Sequence, residues 1–321
     1  MKAYIFALRL VTTIGGVLSV TGCTGSSQVF LSPARYSADS SEVSLPLPIA
    51  IAYEQCATSA VLYHEGVWEF VGTPPQAAIL DWTTGKSTSM PVPGGDGMIL
   101  NSFSQSADCR TIAVSDGTSV YLYDIANAVT TKWTEGKAPA YSPDGAEMAL
   151  LRGTDIILKN VANGEETVLE LPSGLVSKTS FLSDLYWGGT GSTLIVTITY
   201  KEREPFGEDS VLLNLGETIS ASTIFQSTGE IISAPAMSPD GQYVAYVWQD
   251  VTGAPSTLWL YDDTQACFVA SREAPDASGV HWSRDGETLL VTKSGTEESV
   301  GFISAQAVLR EREQSGGCLE K

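Results

Sequence analysis

Few side chains in this sequence are of types that commonly carry catalysis. The chain has two histidines, His64 and His281. His281 directly precedes Trp282 in a strand-like segment, where an imidazole could transfer protons near neutral pH beside a carboxylate. His64 follows an apolar run and is expected in a hairpin loop. The sequence has no nucleophile elbow, zinc-protease helix, phosphate-binding loop or EF-hand loop. His281 is therefore a weak catalytic candidate, and a non-catalytic protein is favoured.

The cysteines are spaced for cross-linking and not for metal binding. Cys56, Cys109, Cys267 and Cys318 lie far apart in the sequence, unlike the paired cysteines of zinc sites. An even number of cysteines in an exported chain indicates two disulfides, for which three pairings are possible. We expect no metal and no cofactor. The fifth cysteine, Cys23, belongs to a different pattern.

The amino terminus has the pattern of an export signal over residues 1–22. Lys2 precedes an apolar stretch that is too short to cross a membrane convincingly. The closing Val20-Thr21-Gly22-Cys23 resembles the lipobox of bacterial lipoproteins. This resemblance implies cleavage before Cys23 and a diacylglyceryl thioether on its sulfur, which would hold the protein on a membrane. The alternative is an ordinary cleaved signal followed by an unmodified cysteine.

The expected address is the bacterial cell envelope, on the extracytoplasmic side. Thr24 stands where an aspartate would favour inner-membrane retention in many Gram-negative bacteria. The outer membrane, facing the periplasm, is therefore the favoured location in such a cell.

The charge of the mature chain argues against several partners. Loss of Lys2 and Arg9 with the signal leaves 16 basic and 37 acidic side chains, a net charge near −21. Such a field repels phosphate backbones, so we expect no nucleic acid partner. A cation or a basic protein surface remains possible.

The composition divides the mature chain into three parts. Residues 23–48 contain the cysteine and a Ser- and Pro-rich stretch that is expected to form a flexible tether, although 28–31 or 43–47 could add an edge strand. Residues 49–309 consist of short apolar runs separated by turn residues, a pattern that predicts an all-β domain. Residues 310–321 form a charged carboxyl-terminal tail.

A four-residue phrase recurs along the all-β part and is followed each time by an apolar run. Its good copies are Ser142-Pro143-Asp144-Gly145, Ser238-Pro239-Asp240-Gly241 and Ser283-Arg284-Asp285-Gly286. Looser copies begin near Gln55, at Ser106 and at Gly188, which gives six. Pro fixes the backbone of a turn, Asp caps it and Gly accepts the left-handed conformation that ends it.

A second marker lies about twenty residues after four copies of the phrase, with a poorer match at Leu212-Leu213-Asn214. It is a strand that ends in an acid or amide with a small residue four positions later, as at Asp81 to Gly85, Asp124 to Ala128, Asn160 to Gly164 and Asp262 to Ala266. Two hairpin turns per unit predict four antiparallel strands per unit. The sequence thus predicts a six-bladed β-propeller of four-stranded antiparallel blades.

These units resemble the TolB-type, WD-like β-propeller repeat, in which an aromatic residue precedes Ser-Pro-Asp-Gly and a later strand reads like Leu258-Trp259-Leu260-Tyr261-Asp262. The resemblance covers residues 49–309 and specifies the fold more than the function. The chain has no room for the α/β domain that precedes the propeller in TolB itself.

Alignment of the repeats also predicts the disulfides and the closure of the ring. Cys56 and Cys109 fall in equivalent first turns of neighbouring blades, whereas Cys267 lies in the outer strand of blade five and Cys318 in the tail. We therefore predict the pairs Cys56–Cys109 and Cys267–Cys318. The last unit lacks a good outer strand, which a strand from residues 28–48 could supply.

The favoured function is a lipid-anchored scaffold that binds an envelope protein through loops at one end of the ring. The hairpin 200–209 is the preferred contact loop, with Lys201, Arg203 and Phe206 as candidate binding residues. The sequence points to no particular small-molecule ligand. Two alternatives are a hydrolase or cyclase with a channel site near His281, and a carbohydrate- or metal-binding module.

Overall fold

The computed structural model describes 29–30, 40–44, 51–56, 59–64, 76–81, 86–90, 102–177, 179–200, 207–226, 231–232, 235–249, 255–274, 277–283, 285–293, 299–315 and 318. The predictions made for the signal 1–22, for Cys23 and for Lys201, Arg203 and Phe206 lie outside these residues.

Short strands account for most of the described chain. The strands of its first half are β1 (Val29–Phe30), β2 (Ser40–Ser44), β3 (Ile51–Cys56), β4 (Ser59–His64), β5 (Gln76–Asp81), β6 (Lys86–Met90), β7 (Ser102–Gln105), β8 (Thr111–Ser115), β9 (Ser119–Asp124), β10 (Val129–Glu135), β11 (Lys137–Tyr141), β12 (Glu147–Arg152), β13 (Asp155–Asn160) and β14 (Glu166–Val168).

The second half continues this pattern and ends in a helix. Its elements are β15 (Ser180–Trp187), β16 (Thr193–Tyr200), β17 (Gly207–Asn214), β18 (Ser220–Gln226), β19 (Ile231–Ile232), β20 (Ala236–Met237), β21 (Tyr243–Gln249), β22 (Thr257–Asp262), β23 (Cys267–Glu273), β24 (Ala277–Trp282), β25 (Thr288–Lys293), β26 (Ser299–Ser304) and α1 (Ala305–Ser315).

Within the described residues these strands form six antiparallel sheets. Four sheets have four strands, in the orders β10-β9-β8-β7, β11-β12-β13-β14, β15-β16-β17-β18 and β2-β26-β25-β24. The other two are β1-β6-β5-β4-β3 and β19-β21-β22-β23, and β20 also pairs with β21 in the latter. The prediction of an all-β propeller with four-stranded antiparallel blades is confirmed.

The innermost strands of successive sheets contact one another around a centre. The contacting pairs are β3 with β7, β7 with β11, β11 with β15, β15 with β20, β20 with β24 and β24 with β3. In the fifth sheet the innermost position is occupied by two short strands. β20 pairs with the first half of β21, and β19 pairs with its last residues.

The core lies between adjacent sheets, because each sheet packs apolar side chains against the next. One cluster joins the third and fourth sheets through residues such as Ala149, Leu151, Leu194 and Val196. Another joins the fifth and sixth sheets and includes Val247, Leu260 and Val291. Branched and aromatic side chains on both faces of a strand suit this stacked arrangement.

The last sheet is completed by a strand from the amino-terminal segment. β2 pairs with β26 from Ser40 opposite Ile303 to Ser44 opposite Ser299. A strand from residues 28–48 was predicted here, and the pairing covers an edge that would otherwise be open to other strands. β1, which adds to the first sheet, also falls within the segment expected to be a flexible tether.

The carboxyl-terminal segment differs from the sequence prediction. Residues 49–309 were predicted to be all-β, but β26 ends at Ser304 and α1 follows across the predicted start of the charged tail. Ala305 and Val308 are buried against the fifth and sixth sheets. Residues 305–311 are mostly strong helix formers, which explains the change. Among the described elements no helix is long and apolar enough to span a membrane.

The repeated turn phrase forms the same hydrogen bonds in several sheets. Ser142 Oγ donates to Asp144 Oδ1 at 2.7 Å and accepts from the Glu147 N–H at 2.9 Å. Asp144 Oδ1 also accepts from the Ala146 N–H at 3.0 Å, and Gly145 has a φ of +74°. Equivalent serine–aspartate bonds occur at Ser106, Ser238 and Ser283. These bonds are why the phrase needs Ser, Asp and a residue that tolerates positive φ.

Successive turns also contact one another. A Cβ placed on Gly191 would lie 3.7 Å from Pro143 Cδ, and one on Gly286 would lie 3.6 Å from Pro239 Cδ. The proline position of one turn therefore lies against the glycine position of the next. We call this series of contacts the turn collar.

The turn of the fourth sheet shows why its sequence departs from the phrase. It reads Gly188-Gly189-Thr190-Gly191, and a Cβ on Gly189 would overlap the backbone of Pro239. A Cβ on Gly188 would overlap Thr193 and Met237. Glycine is needed here because the neighbouring turn approaches the backbone itself.

Substitution of Gly189 by alanine should destabilise the protein by about 1–3 kcal/mol, since the added methyl group forces two backbones apart. Gly216→Ala is the matched control, because the nearest atom to its Cβ would be Thr218 O at 3.7 Å. Urea unfolding of the two variants and the wild type measures the difference. Equal stability of Gly189→Ala and Gly216→Ala would contradict the turn collar.

Candidate functional site

A cavity of about 280 Å³ opens among the innermost strands, at the end of the ring where the turn collar lies. We call it the turn-side cavity. It is lined by the last residues of five innermost strands and by the turns that follow them. The lining residues are Phe103, Gln105, Ala107, Tyr141, Ser142, Pro143, Tyr186, Trp187, Gly189, Pro235, Ala236, Met237, Pro239, His281, Trp282 and Ser283.

The aromatic walls arise from one position of the repeat. Tyr141, Trp187 and Trp282 each directly precede the serine position of a turn, at the end of β11, β15 and β24. The same place in successive sheets faces a common centre. Three of the five turns that line the cavity therefore follow an aromatic residue, whereas Gln105 and Met237 stand at the same position before the other two.

Hydrogen bonds between sheets hold these walls in place. Trp282 Nε1 donates to Ala236 O at 3.0 Å and links the sixth sheet to the fifth. The Tyr141 N–H donates to Ser104 Oγ at 2.8 Å and links the third sheet to the second. Burial raises the pKa of Tyr141, so its phenol stays protonated at neutral pH. The cavity is thus preformed.

The cavity is lined by uncharged groups. No aspartate, glutamate, lysine or arginine is among its described lining residues. Trp187 Nε1 is buried and has no hydrogen-bond partner in the described part of the chain. An uncharged, aromatic lining suits one or two uncharged side chains, because a charged group would lose its hydration there.

His281 lies at this cavity, as a channel site would require. It is half-buried on β24, opposite Leu290 of β25. Among the described lining residues its neighbours are aromatic, amide and hydroxyl groups, and none of these residues is a carboxylate. In the described residues no group of three His, Cys, Asp or Glu side chains could hold a metal ion. His64 ends β4, opposite Gln76.

Sequence reasoning missed a half-buried charged cluster near the other end of the ring. Lys137 Nζ donates to Leu182 O at 3.1 Å and lies 5.8 Å from the centre of the Phe181 ring. Burial, and then the negative charge of Glu208, raise the pKa of Asp184 to about 6, although Lys137 opposes the shift. We call Lys137, Asp184 and Glu208 the loop-side cluster. The sequence signal for this cluster was Asp184 itself, a charged residue between the apolar Leu182 and Leu185.

The strands that flank the predicted contact hairpin are described, but residues 201–206 between them are not. β16 ends at Tyr200 and β17 begins at Gly207, and these two strand ends are paired with each other. They lie at the end of β16 opposite to the Gly188–Gly191 turn, so the hairpin stays a predicted contact loop.

Three of the described cysteines are disulfide-bonded. Cys267 of β23 and Cys318 form a disulfide that ties the segment after α1 to the fifth sheet. Cys109 is also disulfide-bonded, and its left-handed φ of 62° matches the glycine of the other turns. The side chain of Cys56 lies outside the described residues, so the pair Cys56–Cys109 stays a prediction.

Fold and site together define a β-propeller with an aromatic cavity at one mouth of its channel. The fold is TolB-like. TolB from Acinetobacter baumannii has a similar structure, with a TM-score of 0.53 and 14% identity over 77% of this chain and 64% of that one. The chain therefore spans less than two thirds of the TolB it matches.

Other solved propellers are equally similar. An oligogalacturonate lyase in complex with manganese gives a TM-score of 0.55, with 14% identity over 88% of this chain and 99% of that one. A β-propeller domain from Myceliophteria thermophila gives 0.52, with 11% identity over 86% and 99%. No protein-family model and no curated protein sequence matches the chain. The likeness shows the fold alone.

The loop-side cluster should make stability depend on pH in a defined direction. The pKa of folded Asp184, about 6, lies above the ordinary value of 3.8, so the folded state prefers the protonated form. Ionisation of Asp184 therefore lowers the free energy of unfolding. This loss is absent below about pH 4 and is fully present above about pH 6. Relative to wild type, Asp184→Asn should gain about 2–3 kcal/mol between pH 4 and pH 7.5.

Urea unfolding at the two pH values measures this gain. Asp155→Asn, at an exposed position, is the control and should follow the wild type at both. A constant difference between Asp184→Asn and wild type across this range would refute the assignment.

Proposed function

We propose that this protein is a lipid-anchored, extracytoplasmic, six-bladed propeller that acts as a non-catalytic protein-binding module in the cell envelope. It holds a segment of its partner protein in the turn-side cavity. The observation that carries the proposal is the preformed, uncharged, aromatic cavity at the mouth of the ring.

The size and chemistry of the cavity favour a protein segment. Pockets for drug-sized ligands are typically about 300–1,000 Å³, and this cavity is about 280 Å³. It can therefore take one or two side chains while the rest of the segment lies across the end of the ring. Buried aromatic residues commonly provide most of the binding energy at such interfaces. The likeness to TolB is consistent with an envelope protein as partner.

The six-bladed ring is supported by the sheets and by contacts between their innermost strands, which run from β3 through β24 and back to β3. The lipid anchor is supported by the residues that end at Cys23. An outer membrane position facing the periplasm fits both an export signal and structural disulfides.

A second contact surface is proposed at the loop-side end. The hairpin 200–209 carries Lys201, Arg203 and Phe206, which could extend the interface to another part of the partner. Phe181 is 36% exposed near the same end and offers an apolar contact.

An enzyme is the alternative function, because a lyase shares the fold and His281 lines the cavity. A hydrolase or cyclase would use His281 as its proton carrier. A carbohydrate- or metal-binding module is the remaining alternative, with sugar rings stacked on the aromatic walls.

Photocrosslinking in intact cells tests the proposed interface. p-Benzoylphenylalanine in place of Tyr186 should form a discrete adduct with one envelope protein, because this position lines the cavity. The same group at Val168, an outer-strand position that is 56% exposed, is the control and should give none. A third arm at Phe181 reports on the loop-side end. Adducts of equal yield at positions 186 and 168 would overturn the proposal.

Replacement of Cys23 tests the anchor separately. Cys23→Ala should move the protein from the membrane fraction to the soluble fraction of lysed cells, because the sulfur that carries the lipid is lost. Metabolic labelling with a clickable fatty acid should mark the wild type and leave the variant unmarked. If the wild type took up no label and Cys23→Ala stayed in the membrane fraction, lipidation would be excluded.

A further inference from the structure

Exposed aspartates surround the opening of the turn-side cavity. Three lining residues, Ala107, Pro143 and Pro239, are each followed directly by an exposed aspartate. These are Asp108, Asp144 and Asp240, and the turn of the sixth sheet adds the exposed Asp285. The turn collar therefore places one carboxylate beside the mouth in each of four sheets. We call this set the aspartate rim.

The carboxylates of the aspartate rim are fixed in position. Each accepts a hydrogen bond from the serine two residues earlier and one from a backbone N–H two residues later. The Ser106 hydroxyl lowers the pKa of Asp108, and the Ala146 N–H, then the Ser142 hydroxyl, lower that of Asp144. Both side chains therefore stay ionised at any physiological pH.

Acidic residues outnumber basic ones in the turns around the mouth. Glu147 and Glu287 follow two of the turns and add to the four aspartates. The basic residues of the same turns are Arg110 and, outside the described residues, Arg284. The cavity inside this rim is lined by uncharged groups. A charged group would lose its hydration inside the cavity without gaining a counter-ion, whereas a basic group beside the mouth would keep its water and gain attraction.

We propose that the bound protein segment is basic, with lysine or arginine residues flanking an uncharged side chain that enters the turn-side cavity. This inference rests on the proposed function and adds the chemistry of the partner. The central residue fills the aromatic cavity. The flanking basic residues face Asp108, Asp144, Asp240 and Asp285.

Selection from a random dodecapeptide phage library on the mature protein, purified in detergent, tests the partner chemistry. The selected peptides should be enriched in lysine and arginine on both sides of an uncharged residue. Synthetic copies are then measured by fluorescence anisotropy at low and high salt. Affinity should fall with salt, because exposed charge pairs are screened.

The charge variant is the triple substitution Asp108→Asn, Asp144→Asn and Asp240→Asn. Asparagine keeps an acceptor oxygen for the turn, so the collar is retained. The matched control is Glu135→Gln, Asp155→Asn and Glu170→Gln, which removes three exposed charges from the loop-side half. Binding should weaken about tenfold in the first variant and less than about twofold in the second.

The outcomes separate the two proposals. Selected peptides that lose binding in Tyr186→Ala but carry no excess of basic residues would overturn the basic partner and leave the cavity as the binding site. Equal weakening by the two triple variants would also overturn it. Failure to select any peptide, or peptides insensitive to Tyr186→Ala, would overturn both proposals.

Discussion

The contact between the proline position of one turn and the glycine of the next is the constraint on which the ring depends. Each blade is antiparallel within itself, whereas neighbouring blades are joined by side-chain packing, by single hydrogen bonds such as that from Trp282 Nε1 to Ala236 O, and by these turns. The serine and aspartate of the phrase fix the shape of the turn, and its proline packs against the adjacent blade. Gly189 shows the limit of this arrangement, since Pro239 approaches its backbone too closely for any side chain. Cys109 shows its tolerance, because a disulfide-bonded residue takes the left-handed position.

The same contacts create the proposed binding surface. A turn that must begin at a fixed point along each innermost strand places the preceding residue at the mouth of the channel, where aromatic residues form walls. It also places the following aspartate outside the mouth. Residues that repeat for structural reasons therefore supply an uncharged centre and an acidic surround. Specificity in the proposed site then depends on lining residues whose types differ from one repeat to the next, such as Gln105 and His281.

Sequence periodicity was sufficient to predict the blades, their turns and the amino-terminal strand that completes the last sheet, because these features depend on local turn chemistry and alternation. The helix α1 was missed, since its strand-like start at Ala305 and its charged end fall in different predicted segments. The loop-side cluster was missed because Asp184, Lys137 and Glu208 come from three strands that only the ring brings together. His281 was placed at the channel by its position before Trp282, but the cavity around it depends on five innermost strands, which no local pattern reveals.

The pairing of β1 with β6 changes how far the ring can move from a membrane. Val29 is six residues after Cys23, and a fully extended chain covers at most about 3.6 Å per residue, or roughly 21 Å in total. With the proposed lipid on Cys23, the segment between the anchor and β1 would end at the outer edge of the first sheet and not at either mouth. That edge would therefore stay within roughly 21 Å of the membrane surface. The anchor would attach at the side of one blade, so a partner bound at the turn-side cavity would not compete with the anchor for the same surface.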